Sequence, residues 1–277
     1  MKKLLLIFTL GFAPATLLAQ KQVVFKPVYL PKTTYTDIRD MRMVMTMTQD
    51  SVGVGGIAIN MSMSSSNVIA TGSAVKNGML PVVIDSHTLS RKATMNGQDM
   101  PVGTLPNTDV KAYGRFDGAS LRIDSIAGQH LPDSMLTAIT KQLLALQNTI
   151  KFPAKPLKVG NAFVQDTPFS IPMMQMGNNG KVTVTMTYKL LSTANDTAVF
   201  DLVENMRITL DQTTSGQKIK MQMTGTGSGT VSYNISKQYV ATMVNTLTIN
   251  FEMNGNGASM KGQSTMITND RVALSAN

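Results

Sequence analysis

Alternation dominates this chain. From Asp40 to Thr48 a methionine occupies every second position, at Met41, Met43, Met45 and Met47, with Arg42, Val44 and Thr46 between them. Successive side chains of a β-strand point to opposite faces, so this spacing predicts a strand over about 34–49 with one continuous, flexible apolar face. Glycines at 53, 55 and 56 then turn the chain. In the next run Ile57, Ile59, Met61 and Met63 alternate with Ala58, Asn60 and Ser62, and if the two strands pair, all eight apolar positions face one way. The phase is lost at Ser64-Ser65-Ser66, where a bulge or bend is expected.

Turn chemistry punctuates the rest. Lys76-Asn77-Gly78, Asn96-Gly97, Asp117-Gly118 and Ala194-Asn195-Asp196 separate alternating runs, and Asn-Gly in particular tolerates the positive φ of tight hairpin turns. The second half is strands throughout, including a run in which Met221 and Met223 lead into Gly225, Gly227 and Gly229. Three glycines two apart leave one strand face bare, which lets the sheet coil sharply or admits another group close to the backbone. One segment breaks the period of two. Leu136, Ile139, Leu143, Leu146 and Ile150 recur at steps of three and four behind the capping candidates Asp133 and Ser134, which predicts an amphipathic helix over about 132–150. Phe163 and Val164, in a proline-punctuated stretch, read as a short edge strand.

The fold expected is therefore mainly β: a strongly curved, half-barrel-like antiparallel sheet with one central amphipathic helix. It forms a single domain over 33–277, with strand-rich halves at about 33–128 and 160–277 joined by the helix. Residues 20–32, interrupted by Pro27 and Pro31, read as an extended arm. Residues 1–19 read as a signal peptide, with Lys2 and Lys3, an apolar run from Leu4 to Phe12, and small residues at Ala13, Ala15 and Ala19. Cleavage after Ala19 is preferred, with Ala15 as the alternative. That apolar run is short of the roughly 20 residues a bilayer span needs, and no later stretch is long enough. The expected location is the periplasm or outside the cell.

Composition sharpens this picture. The 22 methionines stand against nine Phe, six Tyr and no Trp, so softness replaces aromatic bulk. Absence of cysteine excludes disulfides, thiol catalysis, Cys-based metal sites and a lipid-anchored start. The formal charge of +9 favours anionic neighbours, although lysines scattered through strands such as Lys181 and Lys189 also serve to blunt sheet surfaces and edges.

Catalytic constellations are not visible. His87 and His130 belong to no metal-binding grouping and read as surface loop histidines, and Glu204 and Glu252 fall within predicted strands. Gly225-Thr226-Gly227-Ser228-Gly229 precedes no helix and is no phosphate loop, and Ser73-Ala74-Val75-Lys76 lacks every companion motif its S-x-x-K pattern would need. Too few aromatics are present for a nucleic-acid groove. No enzyme activity and no cofactor are expected. The methionines remain, with three readings open: a filled core; a face that accommodates a lipid or other apolar small molecule, with peripheral association to the envelope; or a copper(I) site, for which thioether is a preferred soft ligand. Candidate lining residues are Met41, Met43, Met45, Met47, Ile57, Ile59, Met61, Met63, Met221 and Met223.

The phrases Phe152-Pro153-Ala154-Lys155-Pro156-Leu157-Lys158-Val159-Gly160-Asn161 and Gly227-Ser228-Gly229-Thr230-Val231-Ser232-Tyr233-Asn234, after a signal peptide, resemble uncharacterised secreted β-rich families of Gram-negative envelopes. In architecture the chain is similar to the half-barrel lipoprotein carriers and lipid-binding lipoproteins, in which a curved sheet wraps an apolar cavity closed by helices. The resemblance implies a lipid-handling role and carries over no site residue.

Overall fold

The computed structural model describes residues 22–26, 28–49, 56–75, 79–100, 109–117, 121–127, 150–168, 183–214, 217–255 and 258–276. Twelve strands follow in chain order: β1 (Thr33–Gln49), β2 (Ile57–Thr71), β3 (Leu80–Met95), β4 (Gln98–Asp99), β5 (Val110–Phe116) and β6 (Leu121–Ile126); then β7 (Ala162–Pro168), β8 (Thr183–Ala194), β9 (Thr197–Thr214), β10 (Gln217–Asn234), β11 (Tyr239–Gly255) and β12 (Ala258–Ala276). All belong to one antiparallel sheet, in the order β6-β5-β3-β2-β1-β12-β11-β10-β9-β8-β7, with β4 hanging on β3.

This order has a simple logic. Nearly every strand pairs with its chain neighbour through a hairpin, and the single long-range pairing is β1 with β12, from Thr33↔Ala276 to Gln49↔Met260. The chain begins in the middle of the sheet, meanders out to one edge at β6, re-enters at the opposite edge at β7 and meanders back. Asn96 and Gly97, and Asn195 and Asp196, all take positive φ, as two-residue hairpin turns require. The phase loss near Ser64 is a bulge: Ser64 faces Ser90 while Ser65 faces Thr88, so Leu89 on β3 is the extra residue.

The expected central helix is overturned. The described residues form an all-β sheet and contain no helix. Ile150, the last apolar residue of the helical stripe, lies instead in irregular chain, 5% exposed and in one buried cluster with Phe200 and Tyr233. Residues 132–149 of that expectation lie outside the described residues, as do the signal segment 1–19 and His130.

The described residues before β1 cross one end of the apolar face. Val23 and Leu157 exchange both backbone hydrogen bonds, at 3.0 and 2.8 Å. The Lys26 amide donates to the Tyr233 hydroxyl, and the Leu30 amide to the Tyr35 hydroxyl. Phe25 sits edge-on to Phe200 and Tyr233 and stacks on Phe152. Tyr29 contacts Tyr35 and Phe116 edge-on, so the arm joins two aromatic-rich clusters that fill this end.

Candidate functional site

The other end of the same face is methionine. The β1–β2 register places Met41 opposite Met63, Met43 opposite Met61, Met45 opposite Ile59 and Met47 opposite Ile57. On its other side β1 sets Met43 opposite Met266, so Met61, Met43 and Met266 stand abreast on three adjacent strands. Met221 and Met223 lie on β10, opposite Met253 and Phe251. Eight of the ten candidate residues join one cluster: Met43, Met45, Ile59 and Met223 are buried in it, and Met47, Ile57, Met61 and Met221 are half-buried around it. Met41 and Met63 are half-buried and lie outside it. Members that the candidate set lacked are Val184, Met186, Met206, Ile208, Leu247, Ile249, Phe251 and Met266. Their alternation was readable, but nothing local tells that β8 to β11 share a cluster with β1 and β2.

The glycine column explains itself here. Gly227 and Gly229 on β10 lie between Glu204 on β9 and Asn245 on β11. A Cβ on Gly227 would stand 2.5 Å from Glu204 Oε2 and 2.8 Å from the Thr246 carbonyl oxygen. The bare strip is occupied by side chains leaning over it from both sides, and Asn245 Nδ2 donates to Glu204 Oε1 at 3.1 Å. Glu204 is 1% exposed. Burial pushes its carboxyl above the ordinary glutamate range, against the pull of the Asn245 hydrogen bond, and the same burial, with Glu204 beside it, raises the Tyr188 hydroxyl to about 12.

A polar band separates the aromatic end from the methionine end. Asp37 and Arg39 occupy the same phase of β1 as Met41, a signal present in the sequence and passed over there. Arg39 donates to Asp270 on β12 through Nε at 2.8 Å and Nη2 at 3.0 Å, a two-point pair. Opposite Asp37 is Asn67, whose Oδ1 accepts from Ser86 Oγ at 2.7 Å. Desolvation raises the Asp37 carboxyl to about 6, Arg39 pulls it down and Asp270 pushes it up. The folded state therefore holds this proton more tightly than the unfolded chain. Its stabilising effect is full below the unfolded value near 4 and is lost as pH rises through about 6. Asp37→Asn is expected to raise stability at pH 8 by about 2–3 kcal/mol and to flatten the pH dependence between 4 and 6. Urea unfolding of the variant and the parent at pH 4, 5, 6 and 8 measures both, and an unchanged slope against pH would refute the assignment.

Outside this face the chemistry is sparse. His87 sits on strand β3, not in a loop, half-exposed with Nε2 2.8 Å from Asp85. No group of three His, Asp or Glu able to hold a metal occurs among the described residues. A shallow depression of about 260 Å³ is lined by Asp40, Arg42, Ser62, Ile267 and Asn269 together with the candidates Met41 and Met63. No helix among the described residues is long and apolar enough to cross a membrane, which says nothing of strands.

No family model matches this sequence, and no curated protein matches it. Among solved structures, lipovitellin, determined for its lipid–protein interactions, aligns over 90% of this chain at 9% identity with a TM-score of 0.46. The alignment spans 26% of the lipovitellin chain, so this chain covers about a quarter of that chain's length. OccK7 (OpdD) of Pseudomonas aeruginosa aligns over 87% of this chain and 99% of its own, at 6% identity and a TM-score of 0.27. The toluene transporter TodX of P. putida aligns over 90% and 91%, at 9% identity and a TM-score of 0.16. At these scores the likenesses carry no argument about what this chain does.

Proposed function

We propose that this is a non-enzymatic, secreted envelope protein that accommodates a lipid, acyl chain or other apolar small molecule on its methionine face. One observation supports the reading above others. One end of the inward face is closed by rigid aromatics and the arm, whereas the other is lined by thioethers, of which Met41, Met47, Met61, Met63, Met221 and Met266 stay half-buried. Unbranched thioether chains repack around ligands of differing shape, and a core meant only to be filled is better specified by Leu, Ile, Val or Phe. From Met41 to Met47 the face runs about 20 Å at the usual strand rise, the scale of a long acyl chain.

A filled core is the second reading, favoured by Met43 at 8%, Met45 at 6% and Met223 at 1% exposure. The two separate by experiment. Met47→Asp with Met61→Asp puts two carboxylates at half-buried positions, where the fold tolerates them better than at Met45. On the ligand reading, the folded double variant is expected to lose at least tenfold in affinity for Nile red. Undiminished binding by a variant with native circular dichroism would reject the methionine face as the site.

A further inference from the structure

The far end of the sheet, away from the arm, carries a row of methionines that the packed clusters leave largely unused. The register sets Met221 on β10 opposite Met253 on β11, and Met253 opposite Met260 on β12, so three thioethers stand abreast on three adjacent strands. Leu210 on β9 and Gln49 on β1 hold the register positions that bound the row. All three methionines keep the inward phase of their strands, since Met223, Phe251 and Ser264, two or four residues along, are buried. They are themselves only half-buried, and Met253 and Met260 belong to none of the three buried clusters.

Directly opposed residues of an antiparallel pair have Cα atoms about 4.5–5.5 Å apart, so the two outer strands of the three are separated by about 10 Å. Each sulfur stands three bonds out from its Cα on an unbranched chain, which is long enough for Met221 and Met260 to lean over the middle strand and meet Met253. The donor set is neutral and soft. Lys220, Glu252 and Lys261 fall on the alternate positions of the same strands and so on the other face, and no group of three His, Asp or Glu able to hold a metal occurs among the described residues. Zinc(II) and calcium(II) want imidazole, thiolate or carboxylate, whereas thioether is a preferred ligand of copper(I). The row formed by Met61, Met43 and Met266 lacks the same capacity, because Met43 at its centre is 8% exposed and packed into the cluster.

We propose that Met221, Met253 and Met260 form a site for one soft monovalent metal ion, copper(I), bound through three thioether sulfurs. Only Met221 is shared with the methionine face described above, and the site stands whether or not that face holds an apolar ligand.

The test is titration of the full chain with silver(I), an air-stable ion of the same charge and similar softness, in chloride-free buffer, and with copper(I) kept reduced by ascorbate in competition with a chromophoric chelator. One equivalent of either ion is expected to bind with a micromolar or lower Kd, and zinc(II) is expected not to compete. Met253→Leu keeps the side-chain volume and removes the central sulfur. It should weaken both soft ions about 10-fold or more, since loss of a group that merely supports a metal ligand already costs that much. Met95→Leu, at a methionine 43% exposed on β3, should leave both affinities unchanged. If Met253→Leu loses the native circular dichroism, Met260→Leu makes the same comparison at the edge of the row. Several silver ions per chain, with Met95→Leu weakening them as much as Met253→Leu, would mean that exposed thioethers bind singly and would overturn the site. Zinc(II) displacing the soft ions, or copper(I) affinity weaker than micromolar, would overturn it as well.

Discussion

Phe25→Ala is expected to destabilise the protein by about 3–5 kcal/mol, the usual cost of truncating a buried phenylalanine. Phe25 is 3% exposed and its ring lies 5.1–5.2 Å from those of Phe152, Phe200 and Tyr233. Its loss empties the place where the arm, the chain leading to β7, and strands β9 and β10 converge. The effect should also be local. Amides of Val23 and Leu157, which bond each other, are expected to exchange hydrogen faster, while those of Met43 and Met45 at the far end keep their protection. Urea unfolding and hydrogen exchange by mass spectrometry read the two parts. A variant of parental stability, or one whose methionine strand loosens first, would show that the arm does not hold this end together.

Gly227→Ala is the second large effect, at about 2–4 kcal/mol, since the added methyl collides with Glu204 Oε2 and with the fixed Thr246 carbonyl. Pushing Glu204 aside also breaks its bond from Asn245, leaving a buried carboxyl with no donor. Part of this cost belongs to the pair. In the background of Glu204→Ala the same glycine substitution should cost at least 1 kcal/mol less, because only the backbone contact remains. Additive effects in that cycle would mean that the glycines serve sheet coiling alone and that the carboxylate over them is incidental.

How far the sequence speaks differs from element to element. Hairpin partners were legible because Asn96-Gly97 and Asn195-Asp196 carry their own turn chemistry, and the bulge near Ser64 because alternation fails there. The glycine column announced that something approaches β10, and it could not say what: Glu204 precedes Gly227 by a whole hairpin, and Asn245 comes from the following strand. The helix expected over 132–150 shows the converse weakness. Spacing at three and four is a statement about one segment alone, and Ile150 is claimed instead by contacts with Phe25 and Phe200. Similarly, Asp37 and Arg39 were in phase with the methionines all along, yet a charged residue in an apolar phase is readable as a site only once Asp270 is known to stand opposite.

Local periodicity thus decided which side chains share a face, because in a strand that follows from covalent geometry alone. It made Met41 to Met47 one row and Met221 and Met223 part of another. The tertiary structure decided that these rows belong to one sheet, through the pairing of β1 with β12 across more than two hundred residues of chain. It also decided that the arm closes the aromatic end and that a charged pair ends the methionine tract. Pairings of that kind are set by the total burial and register of the whole sheet, a free energy spread over every strand, and no short stretch of sequence carries it.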